Sequence, residues 1–214
     1  MKSPELIIKE ELANAISHGI PAIFCVIGTA ILMQYAQSID NIKLMQSFMI
    51  YGFCITFLFT ASTLYHSFRE EVIKKKLRIF DHIGIYLMIA GTYTPFMWIT
   101  VNNIWGTVIL IAVWSIAIFG VIFKIFFTGK FEKLSLISYL VMGWLLVFGV
   151  KPMLDTVHEN GLWLLLAGGL SFTVGTIFYR WNKLAYNHAI WHIFVVLGGA
   201  CHYFAILYYS YPSK

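Results

Sequence analysis

Charge is scarce in this chain. Asp, Glu, Lys and Arg make up 12% of its 214 residues, where a water-soluble domain carries about 25%. That shortage excludes a soluble globular protein, and the apolar spans leave no room for a separate soluble domain. Cysteine is scarce too. Cys25, Cys54 and Cys201 are the only three. Their odd number and lack of metal-type spacing exclude a disulfide framework or a thiolate metal site, so they read as small buried hydrophobes. Low-complexity segments and internal repeats are absent. The first fifteen residues mix Glu with Lys, have no apolar core and precede no small-residue cleavage site, so no cleavable signal peptide is expected. Acidic residues number 10 against 15 basic ones. The resulting net charge of +5 does not point to a nucleic-acid partner, because the basic residues cluster in short loops between apolar runs. That placement reads as topology and anionic lipid headgroups.

Hydrophobic residues are abundant, at 59%, and aromatics reach 17%. Seven apolar runs approach the roughly 20 residues a helix needs to cross a bilayer. They fall at 16–36, 44–66, 82–100, 104–127, 134–150, 161–179 and 189–209. The fifth is the shortest, and Pro95 should kink the third. Trp98, Trp105, Trp163, Tyr179, Trp181, Tyr208 and Tyr209 sit near span ends, as interfacial residues do. The expected fold is all-α: a seven-transmembrane bundle forming one integral membrane domain over 1–214. Twelve of the fifteen basic residues, all but Lys43, Lys151 and Lys214, fall on one side. The positive-inside rule makes that side cytoplasmic, with the N-terminus inside and the C-terminus outside. The arm before the first span, with Glu5, Lys9 and Glu10 among Leu6, Ile7 and Ile8, reads as a short amphipathic helix on the headgroups.

Within this topology the polar residues converge. His66 ends the second span at the cytoplasmic side, and Asp81 and His82 begin the third there. His188 and His192 occupy the first two turns of the seventh, and Glu11, Asn14 and His18 stand at the same level in the first. Residues four apart share a helix face, so His188 and His192 can reach one metal ion. For that pair alone, histidines hydrogen-bonded to neighbouring helices would serve as well. The convergence of four spans at one depth favours function, because ionisable groups inside a membrane are costly. Three histidines with an open position form a catalytic zinc arrangement, and imidazole suits zinc. Asp81 is the natural partner, as general base and then general acid. Ser62 lies one turn before His66 and can hold a water or a substrate carbonyl, although close helix packing alone also explains it. His82 reads as an interfacial histidine facing elsewhere. His202, roughly 15 Å deeper along the last helix, reads as a hydrogen-bonded bundle residue and less readily as part of a cavity wall. Lys74-Lys75-Lys76 reads as a topology signal and headgroup patch.

Three motifs in order carry a resemblance over nearly the whole chain. They are Glu11-Leu-Ala-Asn14-Ala-Ile-Ser17-His18; Ser62-Thr-Leu-Tyr-His66, followed by Asp81-His82-Ile-Gly84-Ile and Gly91-Thr-Tyr93-Thr-Pro95; and His188-Ala-Ile-Trp-His192 with His202 beyond. The chain resembles the bacterial haemolysin III-type members of the progestin and adipoQ receptor (PAQR) family, within the CREST group of membrane hydrolases that includes alkaline ceramidases. The resemblance implies a zinc ion held by His66, His188 and His192, with Asp81 beside the water at the metal and Ser62 next to it. It also implies a multi-pass protein of the bacterial plasma (inner) membrane.

Three functional readings follow. The first is a zinc-dependent hydrolase that cleaves an amide bond in a ceramide-like membrane lipid. The second is a hemolysin-like pore former, which the sequence supports little because no span carries a continuous polar stripe or charge ring. The third is a lipid-sensing, receptor-like protein with structural zinc. Substrate identity and oligomeric state are not written in the sequence.

Overall fold

A computed structural model describes residues 2–211; Lys214, counted above on the outer side, lies outside the described residues. Among these residues there are no strands, and seven helical stretches are long and apolar enough to cross a membrane.

The first span, α1 (Pro4–Ser38), is one continuous helix of 35 residues. Ser3 caps it by accepting from Leu6 N, and Pro4 sits in the first turn, where no donor is needed. The arm is thus the start of the first helix, and its acidic residues pair within the protein: Glu10 with Lys2 at 2.7 Å, and Glu11 with Lys74 at 2.6 Å. The second span, α2 (Ile42–Ser67), starts at an Asn41 side-chain cap.

The third span starts far earlier than its apolar run. α3 (Glu71–Pro95) begins at Glu70, whose carboxylate accepts from Val72 N and Ile73 N, so Lys74–Arg78 is helix and not loop. Pro95 ends its regular α-helical part. The chain continues through one π-helical stretch, Phe96–Val101, to a left-handed Asn102. The fourth span, α4 (Ile104–Phe127), has the expected bounds, fixed by an Asn103 cap on Trp105 N and Gly106 N.

The fifth span is broken into three pieces: α5 (Glu132–Gly143), a 3-10 turn (Leu145–Gly149) and α6 (Val150–Thr156). Tyr93 of α3 stabilises the break. Its hydroxyl donates to the Gly143 carbonyl at 2.8 Å and accepts from Leu146 N at 2.9 Å. The last two spans are α7 (Glu159–Arg180) and α8 (Asn187–Tyr209).

Three long seams, α1 with α2, α2 with α3 and α7 with α8, hold the bundle, and α1 also packs on α8. The α2–α3 seam is tight at Gly84, where a methyl group would stand 2.9 Å from the Leu58 Cα, and at Gly91, where one would stand 2.7 Å from the Cys54 Cβ. The fifth span touches its neighbours sparsely. Phe119, Phe126 and Phe148 point outward, as lipid-facing side chains do.

Candidate metal centre

The centre lies at the basic end of the bundle, where α1, α2, α3 and α8 meet. His66 comes from the last turn of α2, and His188 and His192 from the first turns of α8. Their ring centroids stand 5.0, 5.2 and 4.6 Å apart, pair by pair. One ligand atom from each lies within 4.8 Å of those of the other two. The Nε2 atoms of all three are buried without a hydrogen-bond partner among the described residues. Three such nitrogens in one place make a costly arrangement unless something binds them.

The opposite ring nitrogens explain the orientation. His66 Nδ1 donates to the Glu11 carboxylate at 3.1 Å, and Lys74 Nζ holds that carboxylate from the other side at 2.6 Å. His192 Nδ1 donates to Ser17 Oγ at 2.9 Å, while Ser17 donates to the Asn14 carbonyl, also at 2.9 Å. A proton fixed on Nδ1 leaves Nε2 as a bare electron pair. The donor set therefore fits a borderline divalent ion such as zinc, whose bonds to imidazole nitrogen of about 2.0–2.1 Å would draw the three rings together.

One face of α1 thus supports the site. Glu11, Asn14 and His18 recur at helical spacing, and Ser17 lies on their flank. Glu10, beside them, accepts from Tyr186 N at 2.9 Å and so fixes the turn that launches α8. Sequence reading placed Glu11, Asn14 and His18 at the right depth without roles, and it assigned none to Ser17. The spacing on the α1 face was the signal that could have supplied them. His18 stacks flat on His192, with centroids 3.5 Å apart and planes 13° apart, and both its nitrogens are buried without partners.

Asp81 and Ser62 are buried beside the triad. Ser62 Oγ is buried without a hydrogen-bond partner among the described residues. Asp81 lies where two cavities meet. One is almost wholly apolar and runs between α3, α5, α7 and α8, past His18 and Trp191 toward His202. The other is a polar vestibule lined by Glu11, His66, Arg78, His82, Arg180 and His188, among others. Asp81 and Leu136 belong to both walls.

Two expectations change, those for His82 and Lys74. His82 is buried, not interfacial, with Nδ1 3.7 Å from Glu132. Arg78 and the fully buried Lys124 reach the same carboxylate, at 3.3 and 3.4 Å, so Glu132 ties α3, α4 and α5 together at the vestibule. Lys74 is not merely a topology residue, because it holds Glu11. His202 does both things weighed for it: Nε2 bonds the Leu165 carbonyl at 3.2 Å, and the ring lines the apolar cavity.

Residues 6–203 match the profile of the haemolysin-III related family. The chain belongs to that family. Among haemolysin-III relatives it is 44% identical over 206 residues to hemolysin-3 of Bacillus cereus, covering 96% of this chain and 94% of that one. It is also 44% identical to the hemolysin-3 homolog of Bacillus subtilis strain 168, over 94% and 95% of the two chains. The human monocyte to macrophage differentiation factor is 29% identical over 95% of this chain and 86% of its own. The matched stretch contains every residue of the centre, from Glu11 to His192.

Proposed function

We propose that this haemolysin-III related membrane protein is a zinc-dependent hydrolase of the bacterial plasma membrane, cleaving an amide bond in a ceramide-like lipid. The observation that carries the reading is the position of Asp81. It lies near three imidazole nitrogens that have no hydrogen-bond partner among the described residues, and it lines both an apolar cavity and a polar one. A lipid amide needs both environments at once.

Zinc, held by the Nε2 atoms of His66, His188 and His192, supplies a Lewis acid for the carbonyl and acidifies a water near neutral pH. The apolar cavity holds the acyl tail, and the vestibule takes the polar part of the substrate. Asp81 accepts a proton as water adds to the amide carbon, and returns it to nitrogen as the carbon–nitrogen bond breaks. Ser62 offers its hydroxyl to the substrate carbonyl. The products are a fatty acid, left in the cavity, and an amine, released through the vestibule.

The test is metal analysis of detergent-purified protein, followed by mass spectrometry of lipids incubated with it. His192→Ala should lose both metal and hydrolysis. Asp81→Ala should keep most of the metal while the rate falls by about 10²–10⁴. Equal hydrolysis by wild type and His192→Ala, or metal-free protein from zinc-replete cells, would sink the reading. A second reading, a pore former, is favoured only by the names of the Bacillus relatives. Conductance in liposomes that persists after metal removal would support it.

A further inference from the structure

We infer that the polar vestibule is an anion-recognition site built on Arg78, so that the lipid it serves carries a carboxylate or phosphate on the amine side of its amide. The inference narrows the substrate of the hydrolase reading, and it rests on that reading only for the amide.

The charges in the vestibule wall do not balance. Three glutamates line it, Glu10, Glu11 and Glu132. Each is neutralised by a lysine that stands outside the wall. Lys2 reaches Glu10 at 2.7 Å, Lys74 reaches Glu11 at 2.6 Å, and Lys124 reaches Glu132 at 3.4 Å.

That leaves the cations of the wall itself, Arg78, Lys133 and Arg180, against the single carboxyl group of Asp81. Lys133 and Arg180 form no ion pair among the described residues. A cleft lined by unmatched charge of one sign, between low-dielectric walls, concentrates ions of the opposite sign.

Arg78 is the cation placed nearest the chemistry. It stands three residues before Asp81 on α3, so the two share a helix face one turn apart. Its side chain lines the vestibule and keeps 38% of its surface accessible. A guanidinium has five N–H donors, and among the described residues one is engaged, donating to Glu132 Oε1 at 3.3 Å. That contact can be given up, because Glu132 also accepts from Lys124 and, at 3.0 Å, from Gly129 N. A planar guanidinium with free donors takes a carboxylate or phosphate through two parallel hydrogen bonds. An anion on Arg78 and an amide at Asp81 then belong to one short polar head.

The test gives three amides of palmitic acid to the purified, metal-loaded protein in a neutral detergent. The ethanolamine amide is neutral, the glycine amide carries a carboxylate, and the phosphoethanolamine amide carries a phosphate. Binding is read immediately after mixing from the fluorescence of Trp144 and Trp191, which line the apolar cavity. At low salt, wild type should hold at least one anionic amide about 10- to 100-fold more tightly than the neutral one, as a charged hydrogen-bonded pair gives. The tighter of the two identifies the group, and added salt should shrink the preference. Arg78→Gln should bring the anionic amides down to the affinity of the neutral one, and Arg78→Lys should retain part of the difference. Arg180→Gln, at an exposed position, should lower it in a protein that folds as wild type does. Equal affinity for neutral and anionic amides in wild type, or a preference that survives Arg78→Gln, would overturn the inference. So would an equal loss from Arg180→Gln and from Lys76→Gln, because Lys76 is exposed on α3 outside the vestibule wall and reports only the general charge of this end. Because binding is read before turnover, a protein that cleaves none of the amides yet keeps the preference condemns the hydrolase reading and leaves this one standing.

Discussion

Glu11 carries more of the centre than its place near the start of the chain suggests. Its carboxylate is shared between His66 and Lys74, so it orients one ligand and locks α3 to α1 at the same point. Glu11→Gln should leave the helices in place while lowering zinc affinity about 10- to 100-fold, the usual cost of losing such a partner; titration against a chelator reads this directly. Ser17→Ala should have a smaller effect, since the Asn14 carbonyl, 3.3 Å from His192 Nδ1, remains to accept. That His66, His188 and His192 come together was legible in the sequence, because histidine inside an apolar run is conspicuous. Ser17 was not, because a helical serine commonly spends its hydroxyl on the preceding turn. Only the approach of α8 shows that its oxygen has a second task.

At the scale of elements, the fourth span was read to the residue. Its run carries a single charge, Lys124 in the last turn, and begins at an Asn103 cap. The first and third were read too short for one reason: their polar ends turn inward and pair across helices, which hydropathy cannot anticipate. The interruption of the fifth span was not legible either, because it depends on the Tyr93 hydroxyl of another helix. The α2–α3 seam lends itself to a test. Gly84 stands one turn beyond Asp81 and lets α3 approach the α2 backbone at Leu58. Gly84→Val should push the helices apart and destabilise the protein by about 1–3 kcal/mol, as overpacking does. It should also retain the metal, whose ligands come from α2 and α8, while slowing lipid hydrolysis through a displaced Asp81. Thermal melts beside metal content and rate would separate the three effects.

For the molecule as a whole, charge asymmetry predicts a cytoplasmic N-terminus and an outer C-terminus. With Cys25, Cys54 and Cys201 replaced by Ala, a membrane-impermeant maleimide applied to intact cells should label Glu159→Cys and spare Lys75→Cys until the cells are opened. The opposite pattern would invert the topology and place the vestibule outside. The seven-helix architecture itself follows from apolar run lengths alone. The two cavities do not, because they form between helices distant in sequence.

The ligand set draws on both ends of the polypeptide: one histidine from the second helix, two from the last, steadied by side chains of the first. No partial chain leaving the ribosome can assemble it. On the proposed zinc reading, ion capture is then a closing event in biogenesis, after the final helix has entered the bilayer, and metal content would measure how many copies have finished folding.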